Sequence, residues 1–377
     1  MEVGNFPYFR AISASHGATE VTIEGRRVLM IGSNNYLGLT THPKVTEAAL
    51  VATREFGTGC SGSRFLNGTL ELHHRLEERL ARFVGKEKAL VFSTGFQTNL
   101  GTLSVIAGRE DIIFCDRENH ASIFDGVRLS FANVLKYRHN DMEDLERLLA
   151  QAPAQKGKLI VADGIFSMVG DLVNLPRMKE LADRYDAKIL VDDAHAVGVI
   201  GEGGRGTASH FGIDVDLITG TFSKSLASLG GFVAGAGPVI DYIQFTARAM
   251  CFSAAMTPAN AAAALAALDV MESEPQHRER LLANVAFMRK GFRELGYAVE
   301  DHPSAIIALP VGEDEAVFHA WRRLFEQGIF TNPVVAPAVP AGQGLLRTSY
   351  MATHTREQLE RALEVFSRLA RELHLVP

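Results

Sequence analysis

Six short apolar runs, each closed by glycine or a polar turn, set the limits on how this chain can fold. They are "KALVFS" (88–93), "DIIFCD" (111–116), "KLIVADG" (158–164), "AKILVDD" (187–193), "VDLITG" (215–220) and "GGFVAG" (230–235). Helical patterns stand between several of them, such as "DMEDLERLLAQA" (141–152) and "NLPRMKELADRY" (174–185). In the second, Pro176 falls in the first turn and Leu175, Met178 and Leu181 recur at helical spacing. Strands apolar along their whole length, alternating with amphipathic helices, predict an α/β fold whose mostly parallel sheet is covered by helices. Ligands of such sheets gather at the carboxyl ends of the strands.

The pattern changes near residue 275. A long amphipathic helix pattern, "PQHRERLLANVAFMRKGFRELG", is followed by the strand-like pieces "SAIIALPV" and "GLLRTSY" and a last helix, "TREQLERALEVFSRLARELH". The expected organisation is an N-terminal arm (1–45), a large domain (46–275) and a smaller α+β domain (276–377). The Pro- and Ala-rich stretch "TNPVVAPAVPAGQG" (331–344) is expected to be a loop, and long loops are often functional.

The chain has 377 residues, 47% of them hydrophobic, and a net charge of -6. No basic stripe is available to neutralise phosphates, which argues against nucleic acid as a partner. The most apolar long stretch, "NAAAALAALDVM" (260–271), is too short to cross a membrane and predicts a buried helix. Cys60, Cys115 and Cys251 are far apart and form no CxxC pair, so neither a zinc site nor a disulfide framework is expected. With no signal-peptide pattern in "MEVGNFPYFR", the expected setting is the cytoplasm.

Chemistry-bearing residues concentrate at the predicted strand ends. Lys224 follows "VDLITG" among Thr221, Ser223, Ser225, Gly230 and Gly231. Asp192, Asp193 and His195 follow "ILV", His120 follows "DIIFC", Asp163 and Ser167 follow "KLIVA", and Thr94 and Gly95 open a helix after "KALVF". Each has an ordinary alternative: a lysine in a turn, an aspartate cap, a packed histidine. Neither the GxxxxGK[ST] loop nor a GxGxxG after a strand is present, so nucleotide readings are weak. Together the residues fit a phosphorylated aromatic aldehyde held as an imine on Lys224, namely pyridoxal 5′-phosphate. An imine needs a neutral amine. Asp192 would keep the pyridine nitrogen protonated, the state in which the ring draws electrons. His195 would bond the ring hydroxyl, His120 would stack on the ring, and the helix start at Gly95 would take the phosphate.

The motifs "SNNYLGL" (33–39), "FGTGCSGSRFLNGT" (56–69), "STGFQTNLG" (93–101), "NHASIFDG" (119–126), "DGIFSMVGD" (163–171), "VDDAHAVG" (191–198), "GTFSKSLASLGGF" (220–232), "FSAAMTPA" (252–259) and "LLRTSYMATHT" (345–355) cover nearly the whole chain. Together they resemble the α-oxoamine synthases, fold-type I pyridoxal-phosphate enzymes with a seven-stranded type of sheet. These enzymes condense an amino acid with an acyl thioester, with loss of CO2, to an α-amino ketone. The resemblance implies that Lys224 carries the cofactor and moves protons, with Asp192, His195 and His120 in the roles above. It also implies that Thr94, Gly95, Phe96 and Thr221 hold the phosphate, helped by Ser253 of the partner subunit in a homodimer with shared sites. Ser167 would lie near the ring, Arg347 would grip the substrate carboxylate, and Asn35 would line the substrate side.

Within the family the lysine stretch is most similar to the soluble bacterial serine palmitoyltransferases. That implies L-serine, a long-chain acyl thioester of coenzyme A or acyl carrier protein, and a 3-keto sphingoid base as product. Tyr350 stands where a smaller aliphatic residue is expected, with a bearing on substrate fit, and Arg10 is a candidate contact for coenzyme A. The alternatives are a synthase that uses glycine or L-alanine with another acyl-CoA, an aminotransferase or β-elimination lyase, and a non-catalytic partner subunit. The last would be expected to lack Lys224 or Asp192.

Overall fold

The computed structural model describes residues 6–373, Leu375 and Val376. Two compact units are present. The larger comprises His42–Phe166 and Leu172–Ser273, and the smaller the described residues of Met1–Thr41, Ser167–Asp171 and Glu274–Pro377. The segment up to Thr41 thus counts with the C-terminal region in one unit. Residues 1–5, 374 and 377 of the expected terminal segments lie outside the described residues.

The larger unit is built on seven strands: β1 (Lys88–Phe92), β2 (Ile112–Asp116), β3 (Asn133–Tyr137), β4 (Lys158–Asp163), β5 (Lys188–Asp192), β6 (Leu217–Thr221) and β7 (Gly231–Gly235). Their order is β1-β7-β6-β5-β4-β2-β3. Only β7 runs antiparallel to its neighbours. Six strands match the six apolar runs. The seventh, β3, has half-exposed residues and lies at the sheet edge, so it lacks the continuous apolar signal of a strand buried on both faces.

Register decides what meets at the carboxyl edge. Asp163 of β4 lies opposite Asp192 of β5, and Gly231 lies opposite Phe92 on one side and Thr221 on the other. The helix Gly95–Ile106 packs down on this edge because Gly231 has no side chain. A Cβ there would meet Thr98 Oγ1 at 2.5 Å and Gly95 Cα at 2.6 Å. Leu90, Phe92, Leu103, Ile113, Val161, Leu190 and Val233 form the core beneath. The Ala-rich run forms the buried helix Pro258–Ser273, packed on Pro43–Phe56. Among the described residues no helix is long and apolar enough to cross a membrane.

The smaller unit holds two sheets. Strands Ile12–His16, Glu20–Ile23 and Arg26–Met30 pair antiparallel, and Ile329–Phe330 adds in parallel. Strands Ile306–Gly312, Gly344–Ser349 and Asn332–Val334 form the other, all antiparallel. Asn332–Val334 lies inside the stretch expected as a loop. Pro333 is tolerated because this is an edge strand.

Each unit contains a histidine clamped in the same way. His73 Nδ1 accepts the backbone N–H of Leu70 (3.0 Å), and Nε2 faces the Met256 carbonyl (2.9 Å). His354 Nδ1 accepts the N–H of Met351 (2.9 Å), and Nε2 faces the Met30 carbonyl (3.1 Å). Both rings are buried and neutral, and burial lowers each pKa from 6.5 to about 4. The unfolded chain binds these protons first, so the histidines cost stability as pH falls from 6.5 towards 4 and nothing above 6.5. Each should contribute a loss of about 1.4 kcal/mol per pH unit in that window. Urea titrations across the window should show His354→Gln with a flatter slope than the parent.

Candidate active site

The site in the larger unit begins where β1 turns into the helix Gly95–Ile106. Thr94 is the N-cap, and its Oγ1 accepts the N–H of Gln97 at 3.0 Å. The remaining first-turn N–H groups form an anion seat. A Cβ on Gly95 would meet Thr221 Oγ1 at 2.6 Å, so only glycine lets the helix start come this close to β6. Thr221 Oγ1 also contacts Ser223 Oγ (2.8 Å) and the Gly230 carbonyl (3.2 Å). Phe96 is exposed beside the turn. Ser253, expected to reach across from a partner, has its Oγ accepting from Gln97 Nε2 of its own chain at 2.9 Å. Its hydroxyl therefore stands by its own chain's helix start.

The middle of the edge is acidic, with two carboxyl groups buried and His120 exposed. Asp192 is buried. Its Oδ2 accepts Asn99 Nδ2 at 2.6 Å and its Oδ1 the N–H of Ala194 at 3.0 Å. Asp163, equally buried, accepts the backbone N–H of His120 at 3.0 Å. Burial and the nearby Asp192 push the Asp163 carboxyl well up, against the pull of Lys224 and the His120 N–H. His120 caps the helix Ala121–Leu129, and its Nδ1 lies 2.7 Å from Ser122 Oγ. Burial lowers the His120 pKa, Asp192 opposes the shift, and Lys224 adds to it. His195 is buried and Lys224 half-buried. Asp193 serves the chain turn: its Oδ2 accepts the N–H of Thr207 at 2.9 Å, and burial raises its pKa to about 7.

Asn99 and Ser122 escaped the sequence reading, although both lie inside the motifs 93–101 and 119–126. Asn99 Nδ2 reaches Ser122 Oγ at 2.9 Å as well as Asp192. A polar residue in the first turns of a helix usually signals capping, and nothing in the sequence distinguishes that from a tertiary bond.

The smaller unit holds a second cluster. Arg347, on Gly344–Ser349, is 6% exposed; Nε donates to the Ser167 carbonyl (2.5 Å) and Nη2 to Asn34 Oδ1 (3.2 Å). Tyr36, fully buried, donates to the same Asn34 oxygen (3.2 Å); burial raises its pKa and Arg347 opposes this. The Ser167 and Asn34 acceptors and the Tyr36 hydroxyl bonded to Arg347 are all neutral, so its charge suits a carboxylate ligand. Asn35 donates to Thr40 Oγ1 (2.8 Å), while its buried Oδ1 has no partner.

Two expectations are corrected here. Tyr350 is fully buried and its hydroxyl donates to Thr348 Oγ1 at 3.0 Å, so it packs the core of the unit. Arg10 pairs with Glu24 and lies 5.0 Å over the Trp321 ring, which commits its charge inside the unit.

Gly95 is the sharpest test of the anion seat. Gly95→Ala forces a methyl group into occupied space, a cost of about 1–3 kcal/mol. It should weaken pyridoxal 5′-phosphate binding by roughly tenfold or more, read by spectrophotometric titration, with the circular dichroism unchanged. Unaltered affinity would place the phosphate elsewhere.

The chain matches the family described as aminotransferase class I and II over residues 26–366. It is 53% identical to a serine palmitoyltransferase of Sphingobacterium spiritivorum, over 99% of this chain and 94% of that protein. To an 8-amino-7-oxononanoate synthase of Geobacter sulfurreducens it is 44% identical, over 100% of this chain and 97% of that protein. Among solved structures, a serine palmitoyltransferase variant from S. paucimobilis with a bound PLP–myriocin aldimine superposes with a TM-score of 0.96. The two are 34% identical, and the match covers 98% of this chain and 94% of that one. The chain belongs to the aminotransferase class I and II family and, within it, to the α-oxoamine synthases, transferases of fold-type I.

Proposed function

We propose that the protein condenses L-serine with a long-chain acyl thioester to a 3-keto sphingoid base, releasing CO2 and free thiol, with pyridoxal 5′-phosphate as cofactor. The observation that carries the reading is the meeting of Lys224, buried Asp192 and the Thr94–Gly95 helix start at one edge of the sheet. The residues fit the cofactor. Gly95 lets the helix start rest closely on Thr221, leaving its first-turn N–H groups for a phosphate, and the buried Asp192 carboxylate suits a ring N–H. Pyridoxal phosphate, when bound, supplies an electron sink for carbanion chemistry at the amino-acid α-carbon.

This chain's residues would do the rest. Lys224 would attach the aldehyde through Nζ and carry the proton to and from the α-carbon. Asp192, held by Asn99 and Ala194, would keep a proton on the ring nitrogen. His195 would donate to the ring oxygen, and His120 would lie against the ring and meet the amino-acid carboxylate. Thr94, Gly95, Phe96, Thr221 and Ser253 would hold the phosphate, with Ser167 near the ring. Arg347 would bind the substrate carboxylate, oriented by Ser167 and Asn34, and Asn35 would offer its unpartnered Oδ1 to the substrate. The acyl donor would be coenzyme A or acyl carrier protein, and the setting the cytoplasm.

Serine and a long chain are favoured by the name of the 53% identical relative. The second reading, glycine or L-alanine with another acyl thioester, is favoured by the 44% identical relative that spans the whole chain. A screen of amino acids against acyl thioesters, scored by CO2 and free thiol, separates them. Serine with palmitoyl thioester should exceed every glycine or alanine pairing. In the same preparation, borohydride reduction and digestion should place a pyridoxyl mass on Lys224. An adduct on a different lysine would sink the assignment.

A second copy of the chain would complete the assembly. Phe65, Leu66 and Phe252 are exposed, and Leu66 and Phe252 are about four-fifths so. Their segments are joined by the Ser63–Ala254 bridge and the Ala255 N–H to the Gly62 carbonyl (2.9 Å). An apolar patch next to Ser253 suits a subunit boundary close to the phosphate seat. Sedimentation should give a dimer, and Phe252→Lys should yield monomer with less than a tenth of the activity. Full activity in a monomer would remove the shared site.

A further inference from the structure

The bonds behind His120 form a directed chain. An ionised carboxylate can only accept, so Asn99 must present its amide nitrogen to Asp192 Oδ2 (2.6 Å). The second amide hydrogen goes to Ser122 Oγ (2.9 Å). Ser122 Oγ, which accepts from Asn99, lies 2.7 Å from His120 Nδ1, close enough to turn its own hydrogen there. The backbone N–H of Ser122 points at the same nitrogen (3.3 Å), as expected where the His120 ring caps its helix. Asn99 and Ser122 are buried, and His120 at the end of the chain is exposed.

We propose that Asn99 and Ser122 are positioning residues that hold His120 neutral, with Nδ1 as acceptor and its proton on Nε2, and that Asp192 sets this direction. Resting on the function proposed above, the inference gives the arrangement a purpose. A charged imidazolium would be repelled by a protonated cofactor ring, whereas the neutral form offers an Nε2–H donor to the substrate carboxylate. Protonating Nδ1 would set it against the Ser122 N–H and require the Ser122 hydroxyl to turn its hydrogen away. The charged groups acting on the ring are Asp192, which favours the imidazolium, and Lys224, which opposes it. Asp163 acts through the backbone N–H of His120.

The test is nuclear magnetic resonance of the cofactor-loaded protein with 15N-labelled histidine, the His120 signal being identified by its loss in His120→Asn. The parent should show an unprotonated Nδ1, a protonated Nε2 and a midpoint below that of an ordinary histidine. Ser122→Ala removes one donor to Nδ1, and Asn99→Ala removes the amide that orients the Ser122 hydroxyl. Both should raise the His120 midpoint by about half to one pH unit, the equivalent of one hydrogen bond. The acid limb of the kcat profile should move the same way. A residue that only packs the helices would leave that midpoint where it is. A proton on Nδ1 in the parent, or parental titration in Ser122→Ala, overturns the proposal, and Ser122→Ala decides it alone if Asn99→Ala does not fold. A missing pyridoxyl adduct on Lys224 would overturn the functional reading instead, leaving the His120 result to stand by itself.

Discussion

Two carboxylates, Asp163 and Asp192, end neighbouring parallel strands directly opposite one another with almost no access to solvent. Burying two carboxyl groups together is costly unless donors and a cation answer them, and burial with Asp192 alongside pushes Asp163 towards its neutral form. Much of the surrounding edge is that answer. Asn99 and the Ala194 N–H serve Asp192, the His120 N–H serves Asp163, and the charge of Lys224 pulls on both Asp163 and His120. The helices that bring in Asn99 and His120 are fixed in turn by their caps, Thr94 and the His120 ring. Local helix chemistry and the site's electrostatics are therefore one arrangement.

The smaller unit solves the opposite problem. Arg347 is a buried cation whose partners include a carbonyl, an amide oxygen and the Tyr36 hydroxyl, groups that orient the guanidinium without neutralising it. A buried carboxylate in their place would cancel the charge that an amino-acid ligand needs.

The sheet was legible because six of its strands are buried on both faces and read as unbroken apolar runs, whereas Asn133–Tyr137 at the edge does not. Asn332–Val334 was hidden by Pro333, which argues against a central strand and is silent about an edge one. Asp192 was legible as a carboxylate buried at a strand end, and Lys224 and His120 because each follows a strand among small or polar residues. Asn99 and Ser122 were not, because their partners lie far off in sequence and ordinary capping explains such residues equally well. Tyr350 and Arg10 show the converse: a distinctive residue type in a family motif or an N-terminal segment can belong to the core or to a local ion pair.

The place of β7 has a consequence for the order of events on the ribosome. As the edge strand, β1 pairs with β7 alone, and β7 arises only at residues 231–235. The helix start at Gly95 is among the early parts of the larger unit to be synthesised, yet it rests on Gly231. That helix start is thus seated after the Lys224 segment has left the ribosome, and a truncated nascent chain carries the strands β2 to β6 without its support. Long-range closure of this kind is slow and leaves an unpaired strand waiting. Ligand capture by the larger unit is tied to completion of its sheet.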